Sequence, residues 1–203
     1  MDRHLAIKPS FEASFLTCNP GLAQGFGCWL FYEAMLFGAT QSWWGDSGPR
    51  ARAHEGVDFS RYCDTSGRSR RLPHGTRIPA ILDGRVVSIA EDFLGQSLFV
   101  RHGLDDGKGR RLYAFYGHIL PSASCFPGAW LKAGEVGGIV ADPQARDKSI
   151  PPHLHLSIAW VPDTIPSDRL DWKSLVTEKE ILFLDPLKVL HLRYEVIPWE
   201  KAP

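Results

Sequence analysis

"RIPAILDGRVVSIA", residues 77–90, and "SLFVRHGLDDGKGRRLYAFYGHI", residues 97–119, decide the fold. Short β-branched and aromatic runs alternate with glycine-bearing turns, and no helical stretch separates them, which is how consecutive antiparallel strands read. "LDG" ahead of "RVVSIA" reads as a hairpin turn, and "GLDDGKG" between "SLFV" and "RLYAFYGH" reads as a glycine-rich loop. The pattern continues through "LKAGEVGGIV" (131–140) and "HLHLSIAW" (153–160), so a mostly β, antiparallel fold is expected over about 75–160. After Trp160 the texture changes. "TIPSDRLDWKSLVTEKEI" opens with Pro, Ser and Asp and carries Leu170, Leu175 and Val176 at helical spacing, which predicts a short surface helix inserted at about 163–182.

The totals bound the rest. A chain of 203 residues with 44% hydrophobic content supports one well-packed core. Its 23 basic and 23 acidic residues balance, so neither nucleic acid nor an acidic lipid surface is an expected partner. Cys18, Cys28, Cys63 and Cys125 form no C-x-x-C pair, which argues against a thiolate zinc knuckle or a thioredoxin-like site. Their even number permits disulfides without requiring them. The most apolar stretch, "GFGCWLFYEAMLFGA" (25–39), is too short for a membrane span and is interrupted by Glu33, so a buried strand or hairpin is expected there. Asp2, Pro9 and Glu12 stand where a secretory leader would place a basic start and an apolar run, so no signal peptide is read.

The histidines carry the chemistry. In "SIPPHLHLSI" (149–158) a strand would put His153 and His155 on one face and turn Leu154 and Leu156 to the core. That arrangement suits a metal site, yet with eight histidines such a pair arises by chance roughly 0.3 times per chain, so it needs partners. "HEGVD" (54–58) offers His54 and Asp58, expected to converge because the chain turns at Gly56. A second H-x-x-x-D, His102 with Asp106, runs into "GLDDGKG" and reads instead as a solvated hairpin tip with Asp106 pointing to water. His118 follows Tyr116 and Gly117 on an aromatic strand.

Taken in order, "HEGVD", "LDGRVVSI", "VRHG", "YGHI", "LKAGEVGGIV", "PPHLHLSI" and "LDPLKVL" resemble the LytM/lysostaphin-type zinc endopeptidases of bacterial cell walls, over roughly residues 40–190. The resemblance implies a compact antiparallel β-sandwich or open barrel-like domain with a groove, spanning 41–192, with 1–40 as an N-terminal extension packed on it and 193–203 as a tail. It implies one zinc ion per chain on His54, Asp58 and His155, with His118 and His153 as unligated catalytic imidazoles. It further implies peptidoglycan peptides as the substrate, the cell envelope as the location, and a monomer. The runner-up is a non-catalytic wall-binding or hydrolase-activating module of the same fold. "ADPQARDKSIPP" before the H-x-H and "SIAW" after it differ from the family's usual small-residue and aromatic-acidic stretches.

Overall fold

The structure is a computed structural model that describes residues 10–45, 48–145, 147 and 149–199. The start of the expected N-terminal extension and the end of the expected tail lie outside the described residues. The chain begins with α1 (Phe11–Cys18) and α2 (Pro20–Ala23). Ser10 caps α1 by accepting from the Ala13 amide, and Phe11 and Phe15, one turn apart, bury the same face. Asn19 ends the helix, donating to the Phe15 carbonyl at 2.9 Å and accepting from the Arg77 amide at 2.9 Å.

Strands then dominate: β1 (Phe26–Phe31), β2 (Val57–Phe59), β3 (Arg61–Asp64), β4 (Ser69–Arg71), β5 (Arg77–Pro79), β6 (Gly84–Glu91) and β7 (Gln96–Asp105). They continue as β8 (Arg110–Pro121), β9 (Trp130–Leu131), β10 (Val136–Val140) and β11 (Leu154–Pro162). The chain finishes with α3 (Trp172–Thr177), β12 (Leu182–Leu184), α4 (Pro186–Leu190) and β13 (Tyr194–Val196). The larger sheet runs β12-β11-β8-β7-β6-β9, with β2 on β11 and with β10 bridging β8 and β5. A smaller sheet runs β13-β1-β3-β4. Among the described residues every pairing of these strands is antiparallel except that of β1 with β13, and the larger sheet stays open at its ends.

β8 shows why the central strands read as continuous apolar runs. Leu112 to Ile119 are all buried, because the sheet is covered on both faces. Leu112, Ala114 and Tyr116 join the main core with Leu154, Leu156 and Ile158 of β11, while Tyr113 and Phe115 join a second core with Ala159 and Val161. That second core is roofed by Leu170 and Leu175. The helical insertion read from the sequence is therefore a lid over one face of the sheet. Its helix, α3, is closed by a capping box in which Asp171 accepts from the Ser174 amide at 2.6 Å.

One turn was misread. "LDG" does not join paired strands: β5 pairs with β10, and β6 pairs with β7 and β9. It is a corner, fixed by Asp83, whose carboxylate accepts from the Ala133 amide at 2.7 Å and whose carbonyl accepts from the His102 ring at 2.9 Å.

Candidate metal centre

Three strands bring the histidines together. On β11, His155 sits opposite Asp58 of β2 and opposite Gly117 of β8. His118, the next residue, would point to the far face of a regular strand. Its φ of 61° is left-handed, uncommon for a residue with a Cβ, and this kink brings its ring to 5.9 Å from that of His155 and 4.8 Å from that of His153. The kink is held by the His118 amide donating to Asp92 Oδ2 at 2.9 Å and by the His118 carbonyl accepting from the Ala141 amide at 3.0 Å. The chain bends at Glu55 and Gly56 into β2, and Gly56 also serves by closeness: a Cβ there would lie 2.5 Å from the Leu156 carbonyl oxygen and 2.8 Å from His155 Nε2.

Asp58 Oδ1 lies 2.8 Å from His155 Nδ1 and 3.2 Å from His54 Nε2, and those two nitrogens are 3.1 Å apart. All three residues are buried, and their ligand atoms form one group. Each is oriented from behind. The other Asp58 oxygen, Oδ2, accepts from Trp43 Nε1 at 2.7 Å and from the Arg50 guanidinium at 3.4 Å. His54 Nδ1 faces the Leu36 carbonyl at 3.1 Å; a carbonyl can only accept, so Nδ1 carries a proton and, in the neutral ring, Nε2 holds the lone pair. His155 Nε2 is engaged by Ser157 Oγ at 2.8 Å, which leaves Nδ1 facing Asp58.

The same logic fixes the two neighbours. His118 Nδ1 donates to Asp92 Oδ1 at 3.0 Å, and His153 Nδ1 donates to the Pro151 carbonyl at 2.8 Å. In the neutral ring each therefore holds its lone pair on Nε2, and the Nε2 of His153 is buried with no protein partner. Burial alone would raise the Asp58 carboxyl, but the neighbouring His54 and the hydrogen bond from His155 outweigh burial and hold it well below the usual carboxylate range. Asp92 is likewise held down against burial by His118 and Ser97, so it is ionised. Burial pushes His153 down to about 3, with Asp58 opposing, which keeps the ring neutral.

His54, Asp58, His118, His153 and His155 thus converge, and the other H-x-x-x-D pair does not join them. His102 is not at a hairpin tip: it lies within β7, buried against the Asp83 carbonyl. Asp106 does not point to water either. It folds back on its own loop, accepting from the Lys108 amide at 2.7 Å and from the Arg110 guanidinium at 3.2 Å. Sequence reasoning missed Trp43, Arg50, Asp92, Ser97 and Trp172. The last donates from Nε1 to Ser97 Oγ at 2.7 Å and stands edge-on to His155, with ring centroids 5.3 Å apart. Only the aromatic density of the first 45 residues hinted at any of them.

A cleft of about 530 Å³ opens over these groups, walled by Trp44, Phe93 and Trp172, with Glu55, Glu91 and Lys173 among the charged groups lining it. Phe93 is 54% exposed and packs edge-on to the His118 ring at 4.6 Å, so an apolar wall reaches the centre itself.

Two imidazoles and a carboxylate, buried at the floor of an open cleft with two more imidazoles beside them, define a candidate mononuclear metal centre. No family model matches the sequence, and no curated protein matches it. Among solved structures the chain is similar to the catalytic domain of the antimicrobial peptidase lysostaphin from Staphylococcus simulans, at 18% identity and TM-score 0.45, covering 82% of this chain and 91% of that one. It is similar to LytU at 22% identity and TM-score 0.43, covering 68% and 79%. It is also similar to the catalytic domain of a mutant of the prophage-encoded M23 protein EnpA from Enterococcus faecalis, at 25% identity and TM-score 0.38, covering 57% and 75%. Lysostaphin and LytM-type proteins are the family that the motifs resemble.

Proposed function

We propose that the chain is a zinc-dependent endopeptidase of the cell envelope that hydrolyses peptide bonds in peptidoglycan stem peptides or cross-bridges. The observation that carries this reading is the donor set: His54 Nε2, His155 Nδ1 and Asp58 Oδ1 within 2.8–3.2 Å of one another, buried, each with its remote atom already engaged. Two ring nitrogens and one carboxylate would hold a zinc ion and leave it open to water, the hydrolytic rather than the structural donor set. The unpartnered Nε2 of His153, buried beside the same group, fits a site built to face a ligand. Zinc, when bound, supplies a Lewis acid that lowers the pKa of water towards about 7 and polarises a carbonyl.

The chain supplies the proton transfers. His118 presents Nε2 as an acceptor because Asp92 fixes its Nδ1 proton, and His153 presents Nε2 because the Pro151 carbonyl does the same. One takes the proton of the attacking water and the other serves the leaving amine. Trp44, Phe93 and Trp172 confine the substrate backbone over the centre and limit water around it.

The test is incubation of the zinc-loaded protein with intact peptidoglycan, followed by mass analysis of released fragments. Fragments ending at newly cut peptide bonds are expected, and His118→Ala should keep zinc while losing about 10²–10⁴-fold in rate. A zinc-loaded protein that binds the wall and releases nothing would overturn the reading in favour of a non-catalytic module.

A further inference from the structure

Cys28 of β1 and Cys63 of β3 are direct partners across the antiparallel pair of the smaller sheet. As directly opposed residues their side chains leave the same face of the sheet; both are half-buried, and both are free thiols in the structure. The other two cysteines have no cysteine opposite them: Cys18 lies at the end of α1, and Cys125 is buried outside the strands, whereas Cys63 turns its thiol towards the Asp64 carbonyl at 3.4 Å beside Cys28. Directly opposed residues of an antiparallel pair have Cα atoms about 4.5–5.5 Å apart, inside the 4.4–6.8 Å that a disulfide spans. The register shift between Phe26 and Cys28 marks an irregularity next to the pair, where the strands can adjust to bring the sulfurs together.

We propose that Cys28 and Cys63 form a reversible cross-strand disulfide by exchange with an external disulfide. A thiolate of one cysteine attacks a sulfur of a small-molecule disulfide such as oxidised glutathione and releases one thiolate. The second cysteine's thiolate then displaces the remaining half from the mixed disulfide. The two protein thiols give up two electrons and two protons, and the reagent leaves as two thiols. The bond would close the chain from 28 to 63, the segment that carries Trp43, Arg50, His54 and Asp58, and it stands or falls independently of the zinc reading.

Burial, with the Glu195 carboxylate and Cys63 nearby, pushes the Cys28 thiol up, so exchange is fastest above neutral pH. The full chain is therefore equilibrated with oxidised glutathione at mildly alkaline pH, its remaining thiols are alkylated, and unreduced peptides are mapped by mass. One linked pair joining Cys28 to Cys63 is expected, with a melting temperature roughly 10 °C above that of the reduced protein and no such difference in Cys28→Ser or Cys63→Ser. Recovery of Cys28 and Cys63 as separately modified thiols, or a bond from either to Cys18 or Cys125, overturns the proposal. The mapping uses the unsubstituted chain, so a variant that fails to fold does not obscure the result.

Discussion

At His54, His118 and His153 one hydrogen bond decides what the other ring nitrogen can do. Each Nδ1 faces an acceptor that has no proton to give, Leu36 O, Asp92 Oδ1 or Pro151 O, so in the neutral ring the proton sits on Nδ1 and Nε2 is the atom with the lone pair. His102 obeys the same rule with the Asp83 carbonyl, and its Nε2 is buried with no hydrogen-bond partner. Its consequence is thermodynamic. Burial pushes the folded-state pKa of His102 from 6.5 down to about 4, so between those values the unfolded chain holds a proton that the folded one refuses. Stability therefore falls as pH drops from 6.5 to 4, by about 3 kcal/mol from this residue, and levels off below. In His102→Asn, whose amide can still donate to Asp83, denaturant titrations across that range should lose one proton's worth of slope; an unchanged slope would show that the buried ring is not the source.

At the scale of elements, the site is made by how closely β2 approaches β11. Gly56→Ala places a methyl 2.5 Å from a backbone oxygen of β11, which cannot swing aside, so the strands must part and Asp58 must leave His155. The expected result is a roughly 10–100-fold loss of zinc affinity in competition with a chelator, together with a lowered melting temperature. Gly84→Ala meets Val100, Arg101 and His102 at 2.6–2.8 Å and should lower stability alone, since it touches none of the proposed ligands. Equal zinc affinity in the two variants would mean that strand spacing does not set the site. The same contrast separates what was legible in the sequence from what was not. Period-two spacing identified the H-x-H strand, and the glycine-punctuated runs identified the antiparallel fold, because both are local. Asp92, from the β6–β7 turn, and Trp172, from the insertion, reach the histidines only through tertiary packing. The left-handed kink at His118 is enforced by those contacts rather than by its neighbours in sequence. "LDG" was misread because a corner between unpaired strands uses the same residues as a hairpin.

Over the whole molecule, stability and function are carried by different aromatic groups. From α1 to the ligand strand runs a chain of edge-on rings: Phe15 meets Trp29 at 4.9 Å, and Trp29 meets Phe59, the neighbour of Asp58, at 4.9 Å. All three are buried, so the N-terminal segment is fastened into the same core that seats β2. Phe93, by contrast, stands at the cleft against Trp44 and belongs to neither core. Phe15→Ala should cost about 3–5 kcal/mol, through lost burial and the cavity left behind, and lower the melting temperature by roughly 6–20 °C. Phe93→Ala, at a side chain already half in solvent, should change stability by no more than about 0.5 kcal/mol while weakening turnover of peptidoglycan fragments. Calorimetry and fragment release on the same two variants decide the matter: if Phe93→Ala melts as early as Phe15→Ala, the cleft wall is part of the core, and the division between a rigid aromatic frame and a substrate-facing one fails.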